Sequence, residues 1–254
     1  MNEEDSRAGS LERGLAILAH LARVGDASAA DIASATGTSR SATYRLIERM
    51  RELDYVEQSA GGRWSLGPAT SRLGMAALQS TDVVQVAPEY LRLLAQQTRE
   101  TVGLAVLSGT EMVFVYRERG PQAVTVNAEL GGRRPLHCTS LGKAYLAALP
   151  PADLRMLVRT LPLKQYTERT IHTAPALMEE IRRTQERGWA LEQREFDQST
   201  SCCGAVIRDH TGLPVASISV AGFADRVEHS VERLGLLVSS TADAISRRLG
   251  YHVD

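Results

Sequence analysis

The stretch SAADIASATGTSRSATYRLI, residues 28–47, decides the fold of the first part of this chain. Ser28 and Asp31 have the spacing of a capping box, in which the serine hydroxyl and the carboxylate each accept a backbone N–H at the start of a helix. Gly37 stands where the chain must leave that helix through a left-handed conformation, which glycine adopts without steric cost. The pattern therefore predicts two short helices joined by a tight turn.

The second helix begins at Thr38 or Ser39 and is expected to continue into ERMRELDYV, residues 48–56. Apolar residues recur at helical spacing in both helices and predict a core-facing side. These residues are Ile32, Ala35, Ala42, Leu46, Met50 and Leu53. The other side of the second helix carries arginine, hydroxyl and tyrosine side chains, which suit contact with base edges and phosphates in the major groove. The predicted DNA-contacting residues of this helix are Ser39, Arg40, Ser41, Thr43, Tyr44 and Arg45.

A short hairpin follows the second helix. Residues 55–57 and 63–66 alternate like two strands, and the paired glycines between them make a tight turn. This hairpin predicts a two-stranded wing, with Arg63 placed to reach a phosphate or the minor groove. Upstream, leucines recur at helical spacing and predict a third helix that closes a small core. They are Leu11, Leu15, Leu18 and Leu21. The sequence thus predicts a winged helix-turn-helix over residues 10–67, preceded by a disordered segment, residues 1–9.

The charge of this predicted domain is balanced. Between residues 10 and 66, seven arginines face seven acidic residues, and there is no lysine. Arginine suits bidentate contact with guanine or phosphate, which favours sequence-specific DNA binding over nonspecific electrostatic binding. Two short helices around a glycine also occur in proteins that never bind DNA. A sensor or scaffold module without DNA binding is therefore the alternative function.

Length and composition bound the rest of the chain. Its 254 residues suggest two domains, and its formal charge is −1. No apolar run approaches the ~20 residues of a membrane span. The first ten residues are acidic and polar, unlike a secretory signal, so we expect a cytoplasmic protein with no membrane partner. The three cysteines are an odd number and include an adjacent pair, Cys202 and Cys203, which predicts free thiols.

The remaining sequence predicts a linker helix over residues 68–80 and an α+β domain over residues 81–254. Pro68 opens the linker, which in a dimer can pack against its twin and set the spacing of two recognition helices. Within the α+β domain, alternation and apolar runs predict strands, and helical spacing predicts helices. The strands are expected at 102–107, 112–116, 123–127, 189–193, 202–209 and 214–220. The helices are expected at 82–100, 136–149, 175–187 and 228–249, with Val86, Tyr90, Leu93, Leu94 and Gln97 on one side of the first.

The stretch GGRRPLHCTSLGKAYLAALPP, residues 131–151, carries the chemistry of this domain. Thr139 or Ser140 can begin a helix, which leaves backbone N–H groups near Ser140, Leu141 and Gly142 pointing out of the helix end. Such donors, together with the helix dipole, predict a site for an anion such as a carboxylate. An ordinary capped helix is the alternative interpretation.

An enzyme is the rival class of function. Cys138 beside His137, or Cys202 and Cys203 with a distant histidine, could supply a nucleophile and a base. No recognisable local pattern supports either pair, and the adjacent spacing lacks the two-residue gaps of metal-binding pairs. We therefore expect no catalytic residue, metal or cofactor.

Five segments together resemble the IclR family of bacterial transcriptional regulators. They are SLERGLAIL (10–18), TSRSATYRLIERMRELDYV (38–56), GRWSLG (62–67), PLHCTSLGKAYLA (135–147) and CCGAVIRDHTGLPVASISVAG (202–222). The resemblance implies an N-terminal DNA-binding domain, a linker helix and a C-terminal GAF-like effector domain. It also implies assembly as a homodimer or a dimer of dimers, and a response to a small molecule that alters operator binding. Whether this protein represses or activates stays open.

The resemblance further implies effector contacts at Ser140, Leu141, Glu192, Cys202 and Ser219. The sequence departs from the family pattern at two positions, with Glu192 in place of aspartate and Ala221 in place of a hydroxyl residue. A longer acid and a lost hydroxyl change the volume and hydrogen bonding of a pocket, so the effector of a relative does not transfer directly. We expect a small organic acid, because helix-end amides and hydroxyls donate to anions.

Overall fold

The structure of the protein is a computed structural model that describes residues 9–80, 82–121 and 129–252. The chain divides into two compact units, Met1–Ser80 and Thr81–Asp254. The predicted disordered segment, apart from Gly9, and the predicted strand at 123–127 lie outside the described residues.

The first unit is a winged helix-turn-helix, as the sequence predicts. Its helices are α1 (Ser10–Val24), α2 (Ala29–Ala35), α3 (Arg40–Glu52) and α4 (Pro68–Ser80). Its strands are β1 (Asp26–Ala27), β2 (Val56–Gln58) and β3 (Trp64–Leu66), which form an antiparallel sheet in the order β1-β3-β2. The wing therefore has three strands rather than the predicted two. The two residues of β1 are too few to show the alternation that would announce a strand.

Local chemistry at the two predicted helix ends is as expected. The backbone N–H of Asp31 donates to the Ser28 hydroxyl over 3.2 Å, and the Asp31 carboxylate accepts the Ser28 N–H over 3.3 Å. Gly37 has φ of 63°, in the left-handed region that side chains other than glycine rarely adopt. These two features begin α2 and turn the chain toward α3.

The core of this unit lies on a slightly different helix face from the predicted one. Its fully buried apolar residues are Ile17, Leu21, Ile32, Ile47, Val56 and Trp64. Ala35 is exposed and Ala33 is buried instead, because Ala35 is the last residue of α2, where the chain turns outward. Leu53 is half exposed because it follows the end of α3. In α1, Leu11 and Leu15 are 75% and 56% exposed, so only the second half of the predicted leucine stripe belongs to the core.

The second unit is an α+β domain built on one antiparallel sheet of six strands in the order β6-β5-β4-β9-β8-β7. The strands are β4 (Thr101–Ser108), β5 (Glu111–Glu118), β6 (Arg133–Pro135), β7 (Ala190–Gln193), β8 (Thr200–Arg208) and β9 (Pro214–Phe223). The helices are α5 (Val83–Thr98), α6 (Ser140–Ala147), α7 (Pro151–Thr160), α8 (Ala174–Arg187), α9 (Ala224–Glu228) and α10 (Val231–Arg248).

Successive residues of the strands serve two cores. Residues such as Leu104, Cys203 and Ile218 pack with α5 and α10 on one face of the sheet. Ala105, Met112 and Phe114 pack with α6, α7 and α8 on the other, which we call the front face. Because side chains alternate along a strand, the register of the strands decides which residues share the front face.

Several elements of this unit differ from the prediction. β6, α7 and α9 were not predicted, whereas the last predicted helix, 228–249, corresponds to α10. In α5, Leu93 and Gln97 are exposed, whereas Ala87 and Leu91 are buried. Two alanines, which carry a weak apolar signal, and one threonine belong to the buried side of α5, which consists of Ala87, Leu91, Leu94, Ala95 and Thr98.

Candidate functional site

The start of α3 presents an exposed polar surface. Ser39 caps the helix, its hydroxyl accepting the N–H of Ala42 over 3.3 Å. Arg40, Ser41 and Arg45 are exposed, and the ring of Tyr44 is 53% exposed. The predicted DNA-contacting side chains of this helix are therefore available to solvent, with one exception.

Thr43 is that exception, and its prediction as a DNA contact is wrong. Its side chain is fully buried, and its hydroxyl donates to the carbonyl of Ser39 over 3.1 Å. The hydroxyls of Thr43 and Thr38 lie 2.6 Å apart, and those of Thr38 and Thr36 lie 2.8 Å apart. Thr43 therefore fixes the turn between α2 and α3 rather than facing the groove.

The charge on α3 is unevenly distributed. At its second half, Arg49 pairs with Glu52 over 2.7 Å and Arg51 pairs with Glu48 over 2.9 Å. At its first half, Arg40 and Arg45 make no ion pair among the residues that the structure describes. The net positive charge of this helix is thus concentrated at the end that a recognition helix directs toward bases.

Arg63 lies immediately before β3 on the wing. Its guanidinium donates to the carbonyl oxygen and the carboxylate of Asp26, each over 3.0 Å. The ion pair is about half exposed, so a phosphate could compete for the guanidinium at small free-energy cost.

The register of the sheet brings three predicted effector contacts onto the front face. Glu192 lies opposite Cys202, and Cys202 lies opposite Ala221. One step along, Gly204 lies opposite Ser219. A Cβ atom on Gly204 would come within 2.7 Å of the Ser140 carbonyl oxygen, so the start of α6 lies directly on this part of the sheet. Sequence positions far apart thereby converge on one small region.

Glu192 is a buried carboxyl with an unusual environment. It is 2% exposed, and its Oε1 accepts the backbone N–H groups of Glu195 over 2.7 Å and Phe196 over 3.2 Å. Burial raises the pKa of Glu192 to about 7, and the charge of Glu195 raises it further, against the hydrogen bonds and the Lys143 ammonium that lower it. This carboxyl can therefore exchange a proton near neutral pH.

The start of α6 offers fewer free donors than predicted. The hydroxyl of Thr139 caps the helix and accepts the N–H of Gly142 over 3.1 Å. Gly142 is glycine for packing, because a Cβ atom there would lie 2.3 Å from the Cα of Leu136. The N–H of Gly142 is therefore engaged in the helix cap, which argues against Gly142 as an effector contact, while Ser140 and Leu141 stay predicted contacts.

A buried ion pair lies one turn further along α6. Lys143 is fully buried, with its Nζ 2.6 Å from Oε1 of Glu195 and 4.0 Å from Oε1 of Glu180. Glu180 also accepts a hydrogen bond from Arg187 over 2.8 Å. Sequence analysis missed this network, because nothing in the local pattern distinguishes Lys143 from a solvent-exposed lysine.

The cysteines are protonated thiols near neutral pH. Burial, with the charges of nearby Glu195 and Glu192, raises the pKa of Cys138 to about 12. Burial also raises the pKa of Cys203 to about 12 and that of Cys202 well above its usual value. A nucleophilic cysteine requires the thiolate, so these environments oppose the enzyme alternative. Among the described residues, no cluster of three or more histidine, cysteine or acidic side chains could hold a metal.

Two aromatic rings flank Arg134, another basic residue of this region. The guanidinium carbon of Arg134 lies 5.3 Å from the ring centre of Phe114 and 5.0 Å from that of Phe196. The backbone N–H of Phe196 donates a hydrogen bond to Glu192. The ring of Phe114 lies over Gly103, which is the residue opposite Ser219. Arg134 and its two rings therefore border the same region of the front face, which the sequence reading did not anticipate.

The sequence of this chain matches models of a known protein family in both of its units. A model of the IclR helix-turn-helix domain matches residues 10–60, and a model of the C-terminal domain of bacterial IclR transcriptional regulators matches residues 75–247. The chain belongs to the IclR family. The transcriptional repressor AllR of Salmonella typhi is 34% identical to this regulator over 246 residues, which cover 96% of this chain and 90% of AllR. The protein is thus a transcriptional regulator with a helix-turn-helix DNA-binding domain.

Solved structures share the fold of this IclR-family regulator. The repressor BlcR of Agobacterium tumefaciens matches with a TM-score of 0.82 and 30% identity, covering 96% of this chain and 98% of BlcR. An IclR homologue from Microbacterium hydrocarbonoxydans, crystallised with 4-hydroxybenzoate, matches with a TM-score of 0.59 and 24% identity, covering 95% and 99% of the two chains. In the part of the chain that the structure describes, no helix is long and apolar enough to cross a membrane.

Proposed function

We propose that this regulator binds operator DNA through the start of α3. A small organic acid that binds at the front face lowers or raises its affinity for the operator. The observation that carries the DNA contact is the pair of arginines, Arg40 and Arg45, that have no ion-pair partner among the described residues and project from the exposed start of α3. Ser39, Ser41 and Tyr44 complete this surface, and Arg63 on the wing adds a phosphate contact.

Replacing Arg40 with Ala is expected to weaken operator binding by about 1–3 kcal/mol while the protein stays folded, because a base-reading or phosphate-reading guanidinium is lost. The measurement is a gel-shift titration on the DNA that flanks the gene. Arg49→Ala is the matched control on the same helix, since that guanidinium is already engaged by Glu52. Equal operator affinity for the wild type and Arg40→Ala would show that Arg40 does not read the operator.

We propose that the regulator acts as a homodimer or homotetramer. Leu11 and Leu15 of α1, with Leu73 of α4 at 57% exposure, give this unit apolar surface that a second copy of the chain can cover. A two-fold dimer presents two α3 helices to successive major grooves, so its footprint has two protected half-sites one helical turn of ~34 Å, or a multiple, apart. A single half-site in the footprint would contradict the dimer.

The proposed effector site combines donors from α6 with side chains of the sheet. The N–H groups of Ser140 and Leu141 lie at the positive end of the α6 dipole, and Glu192, Cys202 and Ser219 lie on the adjoining part of the front face. Donors of this kind suit a carboxylate. The 4-hydroxybenzoate in the Microbacterium homologue is an organic acid, which supports the same class here.

A panel of carboxylates tests the effector class. We expect at least one acid among 4-hydroxybenzoate, benzoate and short 2-oxo and 2-hydroxy monocarboxylates to raise the melting temperature by about 5 °C or more at 100 times its Kd, because a ligand of the folded state stabilises it by about 2.7 kcal/mol at that concentration. The same acid should change the operator affinity in the gel shift. Stabilisation by neutral or cationic metabolites alone would contradict an acid effector.

The mechanism that follows is a two-state equilibrium. The effector binds one arrangement of the protein better and shifts the population toward it, with α4 as the segment that connects the effector domain to α3 and its wing. Occupancy of the front face thereby alters how paired recognition helices meet the operator. The position of the operator relative to the promoter decides whether the outcome is repression or activation.

A further inference from the structure

We propose that Arg134 binds the carboxylate of the effector and makes the site select anions over neutral ligands of the same shape. This inference rests on the proposed function of the front face as an effector site. It assigns a specificity-determining residue that neither the sequence motifs nor the helix-end donors indicate.

The register of β6 sends Arg134 to the front face. Arg134 lies opposite Met112 of β5, whose side chain is fully buried in the front core. The neighbouring Arg133 lies opposite Val113 and is exposed, with its guanidinium 3.2 Å from the carboxylate of Glu111. Two adjacent arginines therefore occupy opposite faces of one short strand, and only the second faces the effector region.

Two rings orient the guanidinium of Arg134. Phe114 and Phe196 lie within cation–π distance of it, at 5.3 Å and 5.0 Å from the guanidinium carbon. Stacking uses the flat faces of a guanidinium, whereas its N–H groups donate in the plane, so stacking does not consume the donors that a carboxylate needs. One of those donors holds the carbonyl oxygen of Arg133 over 2.8 Å, which further fixes the side chain. A preorganised guanidinium binds a carboxylate with less loss of side-chain entropy.

The charge of Arg134 acts on the centre of the proposed site. It opposes the rise in the pKa of the Cys202 thiol, and burial lowers the pKa of Arg134 itself. The guanidinium therefore acts electrostatically on Cys202 and lies in partly desolvated surroundings, where attraction to an anion is stronger than in water. Arg134 therefore has the position and the charge to meet the carboxylate of a ligand that lies against Cys202 and Ser219.

The test compares acids with their matched primary amides on the full chain. The probe is the acid of the panel above that gives the largest thermal shift, measured with its amide by calorimetric titration. We expect Arg134→Gln to weaken binding of the acid by about 10-fold or more, the loss typical of a charge-assisted hydrogen bond, and to change binding of the amide by less than about 3-fold. Arg134→Lys should recover part of the preference for the acid because it restores the charge without the planar fork.

Arg133→Gln is the matched control, since it makes the same change one residue away on the other face. It should leave the affinities for the acid and the amide unchanged. If wild type binds an acid and Arg134→Gln binds it equally well, or loses acid and amide in parallel while Arg134→Lys does the same, Arg134 does not recognise the carboxylate and the proposed function stands. If wild type binds no acid of the panel, the effector proposal itself fails.

Discussion

Replacing Lys143 with Met is expected to lower the free energy of unfolding of the effector domain by about 3–5 kcal/mol. Lys143 is fully buried, and its ammonium neutralises Glu195, whose other carboxylate oxygen is buried without a hydrogen-bond partner among the described residues. Without the ammonium, Glu195 is left with an uncompensated charge in a buried position. That penalty is a large part of the stability of an ordinary domain.

Urea denaturation followed by the fluorescence of Trp189 measures this effect. Trp64 and Trp189 are the two tryptophans, one in each unit, so a Trp64→Phe background isolates the signal of the effector domain. Arg182→Ala is the control, because Arg182 forms exposed ion pairs on α8 that contribute about 0–1 kcal/mol. Removing both charges, as Lys143→Met with Glu195→Met, should recover much of the loss. Equal destabilisation by Lys143→Met and Arg182→Ala would contradict the role of the buried pair.

The predictable part of this molecule is the part governed by local chemistry. Ser28, Asp31 and Gly37 act on residues within one turn of themselves, so the helix-turn-helix was evident from the sequence. The burial of Thr43 was not evident from the sequence, because the packing of α1 and the wing against α3 determines which side of α3 is buried. A threonine at helical spacing can bond the preceding turn or face solvent, and only the packed domain distinguishes the two.

The effector region was predictable only in part, since its residues meet through the register of the sheet. The resemblance to the family named Glu192, Cys202 and Ser219, and the structure brings them onto one face. Lys143 and Glu195, by contrast, are 52 residues apart, and no local signal couples them. Arg134 lies on β6, a strand of three residues, where the choice of face cannot be read from alternation. Contacts between residues distant in sequence determine both the Lys143–Glu195 ion pair and the face on which Arg134 lies.

Glu192 should make the stability of the effector domain fall as the pH rises. Its pKa is about 7 in the folded protein, because of burial, against an ordinary value of 4.5. Between these values the unfolded chain loses the proton and the folded chain keeps it, so the folded state binds more protons and loses relative stability with rising pH. Below about pH 4.5 both states are protonated, and above about pH 7 the loss is complete.

Glu192→Gln removes this titration while keeping an oxygen that can accept the N–H groups of Glu195 and Phe196. We therefore expect its stability relative to wild type to increase by about 2–3 kcal/mol between about pH 5 and pH 8, measured by urea denaturation with the Trp189 signal. Glu168→Gln, at an exposed position, controls for the change in net charge. A difference between Glu192→Gln and wild type that is the same at both pH values would show that Glu192 is ionised in the folded protein throughout this range, with the Lys143 charge and the two backbone hydrogen bonds outweighing its burial.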